Sequence, residues 1–389
     1  MKQYKSGIFA LSADPVTFGH IDMIKKALLQ CENLIIFVAN NGAKKYLFNL
    51  KERYYMVKKT IKQFDIRNVQ VIYGPELLTD MFLKYDCDVV FRGVRDEKDY
   101  KFESEQIFAM NLILPGFADK VVYIQSSVEL KHVSSTLVKS FVQCHLPVSE
   151  MVPLFISAKL EERINRQFKV SFTGEICSGK SYVANAVKQY IETHYNIEVN
   201  YINLDQIIRD LYVEDSPSAQ KIRDWILEHF GADTLSTDRK SVNLEILKSR
   251  MFSMSDDLKR EAQQITAPHV TRLYRDALSD KEGIIILEWA KLAEMGMSTW
   301  TNNNAVLVHS SEGDKMSKKR GLDEKFAAAA RKFQWNKAQK QQSLEKSIAR
   351  EGSGQLIVFE NNFDNDEAIK TLSISVVNLF KSSGKAGGH

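Results

Sequence analysis

Residues 174–181 read Gly-Glu-Ile-Cys-Ser-Gly-Lys-Ser, the G-x-x-x-x-G-K-S spacing of a phosphate-binding loop. Such a loop works only between a buried strand and a helix. Its backbone N–H groups turn inward to cradle phosphates, Lys180 reaches the β and γ oxygens, and Ser181 can hold Mg²⁺. The flanks comply: residues 168–173 are an apolar run and residues 179–192 have a helical pattern. A parallel α/β domain therefore starts in the middle of a chain of 389 residues. Everything upstream needs a fold of its own.

The upstream half alternates as well. Strand patterns at 5–11, 34–39, 69–73, 88–91 and 120–124 are interleaved with helix patterns at 20–30, 50–64, 76–85, 97–113 and 134–144. Alternation of this kind predicts a parallel sheet covered on both faces, with ligand at the carboxyl ends of its strands. Pro147 and Pro153 interrupt it, and residues 160–167 read as a charged helical connector. Downstream, strands at 198–203, 283–288, 304–309 and 355–359 complete a second sheet, with helices at 217–230, 243–279 and 322–350. The expected fold class is thus α/β in two domains, at 1–165 and 166–381, followed by a flexible tail at 382–389.

A formal charge of +4 suits anionic small molecules and gives no support for nucleic acid. No apolar run approaches the ~20 residues of a membrane helix, and the first residues do not read as a secretory signal. Four scattered cysteines without metal-ligand spacing fit reduced thiols in a cytoplasm.

In the first half, Thr17-Phe18-Gly19-His20 follows the first strand and opens a helix. Gly19 allows close backbone approach to a phosphate, and His20 can donate to a phosphate oxygen near the helix N-terminus. Three more anion-binding elements follow strands of the same sheet: Lys44-Lys45, Arg92-Gly93-Val94-Arg95, and Ser134-Ser135-Thr136 at a helix start. These segments, with residues 14–20, Glu103 and residues 133–139, resemble phosphopantetheine adenylyltransferase, of the nucleotidylyltransferase superfamily. The resemblance implies a Rossmann-like domain in which the phosphate of 4′-phosphopantetheine attacks the α-phosphorus of ATP, giving dephospho-coenzyme A and pyrophosphate. It implies that His20 stabilises the α-phosphate and that Lys44 and Arg92 hold the pantetheine phosphate. Gly19, Gly93, Val94, Arg95, Glu103, Val133, Ser134, Ser135 and Thr136 would contact ATP. Where the family has Pro-Gly-Thr-Phe, this chain has Ala10-Leu11-Ser12-Ala13, so Ser12 stands in for the threonine and the loop loses its glycine. The resemblance also implies a homo-oligomer, hexameric in that family.

In the second half, Asp205 at the end of the next strand could take a hydroxyl proton, and the basic cluster 315–320 suits a lid over a triphosphate. Gly174, Ser178, Gly179, Lys180, Ser181, Asp205 with Arg209, Lys319-Arg320, Gln334 and Lys337 together resemble dephospho-coenzyme A kinase, a P-loop kinase-like fold with a helical lid. That resemblance implies ATP with Mg²⁺ at Ser181, Arg320 on the nucleotide, and conversion of dephospho-coenzyme A to coenzyme A. The chain departs from the family at Asn203, Ala267 and 290–292, and inside the loop at Glu175 and Cys177.

Three other readings compete. The second domain could bind nucleotide without catalysis and serve assembly. The first could transfer nucleotidyl groups to a nicotinamide nucleotide or in cytidylyl chemistry, against which stands Arg92-Gly93-Val94-Arg95. Residues 17–20 with Lys315-Met316-Ser317-Lys318 imitate the signatures of class I aminoacyl-tRNA synthetases, but a complete phosphate loop lies between them.

Overall fold

The computed structural model describes residues 2–42, 44–251, 255–311, 334–362 and 365–385. The chain divides into two compact units, Met1–Ile164 joined by the last residues from Lys381, and Asn165–Phe380.

The front unit is a five-stranded sheet in the order β3-β2-β1-β4-β5, every pairing parallel. Its strands are β1 (Tyr4–Leu11), β2 (Cys31–Ala39), β3 (Val69–Gly74), β4 (Val89–Val94) and β5 (Val121–Gln125). Its helices are α1 (Phe18–Leu28), α2 (Leu50–Gln63), α3 (Leu78–Lys84), α4 (Glu97–Ile113), α5 (Ser135–Gln143) and α6 (Leu154–Asn165). The central strands are apolar on both faces because helices cover both. Phe9, Val38 and Phe91 pack into one core, while Ile8, Phe37 and Val90 pack into the other. The chain winds outward from β1 to β3 and then returns to β4 on the opposite side. This reversal opens a crevice at the carboxyl ends of β1 and β4.

The back unit repeats the principle in the order β10-β9-β6-β8-β7, again parallel. Its strands are β6 (Gln167–Gly174), β7 (Val199–Asn203), β8 (Gly283–Glu288), β9 (Asn304–His309) and β10 (Gln355–Glu360). The described helices are α7 (Lys180–Tyr195), α8 (Leu204–Val213), α9 (Pro217–Phe230), α10 (Leu244–Met251), α11 (Asp256–Leu278), α12 (Lys337–Glu351) and α13 (Asp366–Lys385). The phosphate loop leaves central strand β6, whose residues are all buried.

Three expectations change. The charged connector at 160–167 is mostly helix α6, with Leu160 and Glu161 buried against the front core; only Arg166 separates α6 from β6. The helical reading holds; what changes is that the helix packs as part of the front unit, the charged Glu161 included. The single helix expected at 243–279 is α10 and α11, with Ser255 capping the second by accepting from Leu258 N at 3.3 Å. The expected tail begins inside α13, which runs to Lys385. The proposed lid at 315–320, with Lys319 and Arg320, lies outside the described residues.

Gly174 fixes the exit from β6. Its φ is +154°, and a Cβ there would sit 2.0 Å from the Val308 carbonyl oxygen. Gly174→Ala is expected to cost the back unit about 2–3 kcal/mol and to leave the front unit's unfolding unchanged, as scanning calorimetry of the full chain would measure.

Candidate active sites

The front crevice is a cavity of about 590 Å³ lined by residues from all the expected anion-binding elements. Ser12, Gly19, His20, Lys44, Arg92, Gly93, Arg95, Glu103, Val133, Ser134, Ser135 and Thr136 all border it. Val94, a buried residue ending β4, is not among the lining residues.

The loop after β1 is set by Asp14, only 5% exposed. Its carboxylate accepts from Leu47 N and Phe48 N at 3.0 Å each and from Lys139 Nζ at 2.9 Å. Ala13, next to it, takes the left-handed conformation, φ 49°. Arg53, wholly buried on α2, joins the strand ends: it donates to the carbonyls of Ser12, Ala39 and Phe48 and to Asn40 Oδ1, and lies 4.0 Å from the Tyr46 ring. Helix α1 then starts at Thr17. Its N–H donates to His20 Nδ1 at 3.0 Å, and its hydroxyl lies 2.9 Å from the same nitrogen. A backbone N–H can only donate, so Nδ1 is the unprotonated nitrogen and a neutral His20 carries its proton on Nε2. Burial first, then the charges of Arg95 and Lys44, push the imidazole down to about 4. His20 is therefore a neutral hydrogen-bond donor at physiological pH, suited to steady a charged oxygen and unsuited to act as an acid.

The two arginines do not stand alone. Arg92 pairs with Glu103, and Arg95 pairs with Asp99 at 2.6 Å, so α4 presets both guanidiniums. Glu103, expected as a nucleotide contact, is a partner of Arg92 here. Ser134 caps α5 by accepting from Leu137 N at 3.1 Å, and Ser135 Oγ donates to Pro15 O at 2.8 Å. Both hydroxyls shape the loop. The anion-binding capacity of α5 thus rests on its first N–H groups. Gly19 lets α1 approach the loop after β5: a Cβ would lie 3.3 Å from Val133 O.

In the back unit, Gly179 (φ 83°) and Cys177 (φ 60°) curl the loop, and Lys180 Nζ donates across it to Glu175 O at 2.9 Å. Burial lowers the Lys180 pKa, opposed by the negative charges of Glu288 and Asp205. Ser181 Oγ donates to Glu288 Oε1 at 2.8 Å. Asn361 Nδ2 donates to Ser178 O at 2.9 Å, and Gln334 Oε1 accepts from Ile176 N at 2.7 Å. Asp205 sits half-buried in the first turn of α8, which Asn203 caps by accepting from Gln206 N at 3.0 Å. Arg209 is exposed further along α8. Tyr201 donates to Glu288, and burial followed by that bond raises its hydroxyl to about 12.

Residues 8–141 match the family model described as cytidylyltransferase-like, and residues 168–354 match that of dephospho-CoA kinase. The phosphopantetheine adenylyltransferase of Petrotoga mobilis is 33% identical over 153 residues, covering 39% of this chain and 92% of the relative. That of Fusobacterium nucleatum is 38% identical over 135 residues, 35% of this chain and 81% of its own. That of Caldanaerobacter subterraneus is 32% identical over 159 residues, 41% and 97%. The chain belongs to the phosphopantetheine adenylyltransferase family. To that front domain it adds a dephospho-CoA kinase domain, so one polypeptide combines a nucleotidyltransferase with a kinase.

Sequence reasoning misses Asp14 as an anchor, Thr17, Arg53, Asp99, Glu288 and Asn361. Glu288 carries a usable signal, a carboxylate ending the apolar run 284–287 beside the loop strand. Thr17 and Asp99 carry local signals as well, a capping position three residues before His20 and an i,i+4 pairing with Arg95; Asp14, Arg53 and Asn361 act through partners that no local pattern reveals.

The depressed His20 pKa has a definite sign. Between pH 6.5 and about 4 an unfolded histidine gains a proton that folded His20 refuses, so this group withdraws stability as pH falls through that window. The pH profile of kcat/KM for adenylyl transfer is expected to show no limb near 6.5 that depends on His20. A limb there that vanishes in His20→Gln would contradict the depressed His20 pKa.

Proposed function

We propose that the chain performs the last two steps of coenzyme A synthesis. In the front cavity the phosphate of 4′-phosphopantetheine attacks the α-phosphorus of ATP. A phosphoanhydride forms, the α–β bridge breaks, and pyrophosphate leaves. The reacting phosphate supplies its own nucleophile, so the protein's work is positioning and charge stabilisation. His20 Nε2–H faces the charge on the α-phosphate, Lys44 and Arg92 hold the acceptor phosphate, and Arg95 with the start of α5 takes the triphosphate. Gly93 and Gly19 keep the approach open, and Ser12 offers a hydroxyl beside the acceptor.

In the back unit the 3′-hydroxyl oxygen of dephospho-coenzyme A attacks the γ-phosphorus of a second ATP. Asp205 receives the hydroxyl proton, and ADP leaves. Lys180, Ser178, Gly179 and Gly174 shape the phosphate cradle, and Arg320 belongs to this reading as a lid residue. The oxygen donors fit Mg²⁺: Ser181 Oγ lies beside Glu288, a carboxylate only 4% exposed, and that ion favours few protein oxygens together with substrate phosphates. Bound Mg²⁺ would neutralise charge on the phosphate oxygens. The domains act as separate catalysts over 1–165 and 166–381 in a cytoplasmic homo-oligomer. Phe108, Leu112 and Ile113, exposed on α4 at 70%, 75% and 62%, support association.

The observation that carries the reading is the meeting of a neutral histidine donor with Lys44, Arg92 and Arg95 in one cavity. Incubation of the full chain with ATP, Mg²⁺ and 4′-phosphopantetheine, followed by mass, is expected to give dephospho-coenzyme A, pyrophosphate and then coenzyme A. Arrest at dephospho-coenzyme A would overturn the kinase half. His20→Ala is expected to slow the first step about 10²–10³-fold while sparing phosphorylation of supplied dephospho-coenzyme A; Lys180→Ala should do the reverse.

A further inference from the structure

β7 and β8 run parallel in a register that sets Asn203 beside Glu288 and Tyr201 beside Ile286. Side chains two apart on a strand share a face, so Tyr201, Asn203 and Glu288 project to the same side of the sheet, where Ser181 lies in the first turn of α7. They form one directed chain of hydrogen bonds. Asn203 Nδ2 donates to the Tyr201 oxygen at 3.2 Å. Tyr201 O–H donates to Glu288 Oε2. Ser181 O–H donates to Glu288 Oε1 at 2.8 Å. Each donor has an acceptor, and the chain ends on both oxygens of one buried carboxylate.

The consequence falls on Ser181. A hydroxyl whose proton is committed to Glu288 must present its lone pairs elsewhere, and only lone pairs bind a cation. Glu288 can fix that rotation only if it is itself unable to rotate, and the phenol on its far oxygen prevents it from doing so. Asn203 in turn donates to the phenol oxygen, which directs the phenol's own proton toward Glu288.

We propose that Tyr201, seconded by Asn203, is a positioning residue for the back unit's nucleotide site: it locks Glu288 and so orients the Ser181 hydroxyl toward the divalent cation carried by the triphosphate. This rests on the kinase reading above. Neither residue need touch substrate.

The test is a calorimetric titration of the full chain with a non-hydrolysable ATP analogue, once with Mg²⁺ and once with EDTA. The same titration of Lys180→Ala subtracts binding at the front cavity. The unsubstituted chain should bind more tightly with Mg²⁺. Tyr201→Phe should lose about 10- to 100-fold of that tightening, as outer-shell partners of metal ligands generally do, with metal-free affinity and adenylyl transfer intact. Glu288→Gln should lose as much, and the double variant no more than either, since the residues act in series. Unchanged Mg²⁺ tightening in Tyr201→Phe, beside its loss in Glu288→Gln, overturns the positioning role and leaves the kinase reading standing. Absence of any Lys180-dependent nucleotide binding in the unsubstituted chain overturns both.

Discussion

A parallel sheet satisfies its backbone only within the ladder. Where strands end, carbonyl and N–H groups from separated parts of the sequence arrive together without partners, and a buried one is costly. The front unit answers with two ions. Asp14 collects the N–H groups of Leu47 and Phe48 and the ammonium of Lys139, while Arg53 collects carbonyls from Ser12, Ala39 and Phe48. The loops that line the cavity are thereby tied to one another, and the shape of the phosphate site follows from that tie.

The back unit uses a buried ammonium after β8, where Lys340 donates to the Ala290 carbonyl at 2.6 Å, but braces the far side of its phosphate loop with neutral groups. Asn361 takes up the carbonyl of Ser178, and Asn365 donates to Asn361 Oδ1 at 2.6 Å. The difference suits what each edge must hold. A phosphate loop owes its anion affinity to backbone N–H groups and one lysine, and a neutral support leaves that field undisturbed. In the front cavity the binding groups are long cationic side chains, and carboxylates on α4 set two of them: Glu103 for Arg92 and Asp99 for Arg95. Such pairing holds an arginine in place before substrate arrives.

Much of this is legible in the residues. Strands such as β2 and β8 read directly because covered parallel strands are apolar on both faces. Gly174, Gly179, Lys180 and Ser181 read directly because a phosphate loop leaves few alternatives at each position. Thr17 to His20 shows that a histidine opens a helix, but not that the preceding backbone N–H fixes its tautomer. Residues 160–167 read correctly as helical, but the charged run hides that α6 packs into the front unit, with six of its twelve residues buried and Glu161 among them. Arg53 and Asn361 are invisible for a different reason: their partners lie 41 and 183 residues away, and no period or spacing encodes a register between such distant segments.

That last separation bears on how the protein is made. Front-sheet strands, from Tyr4 to Gln125, leave the ribosome early and have all their pairing partners by then. The phosphate loop emerges next, yet the asparagine that steadies it belongs to the segment after the final strand. During translation the front sheet can be paired while the phosphate loop still lacks its brace, and the stretch from Lys381 that completes the front unit follows only after both.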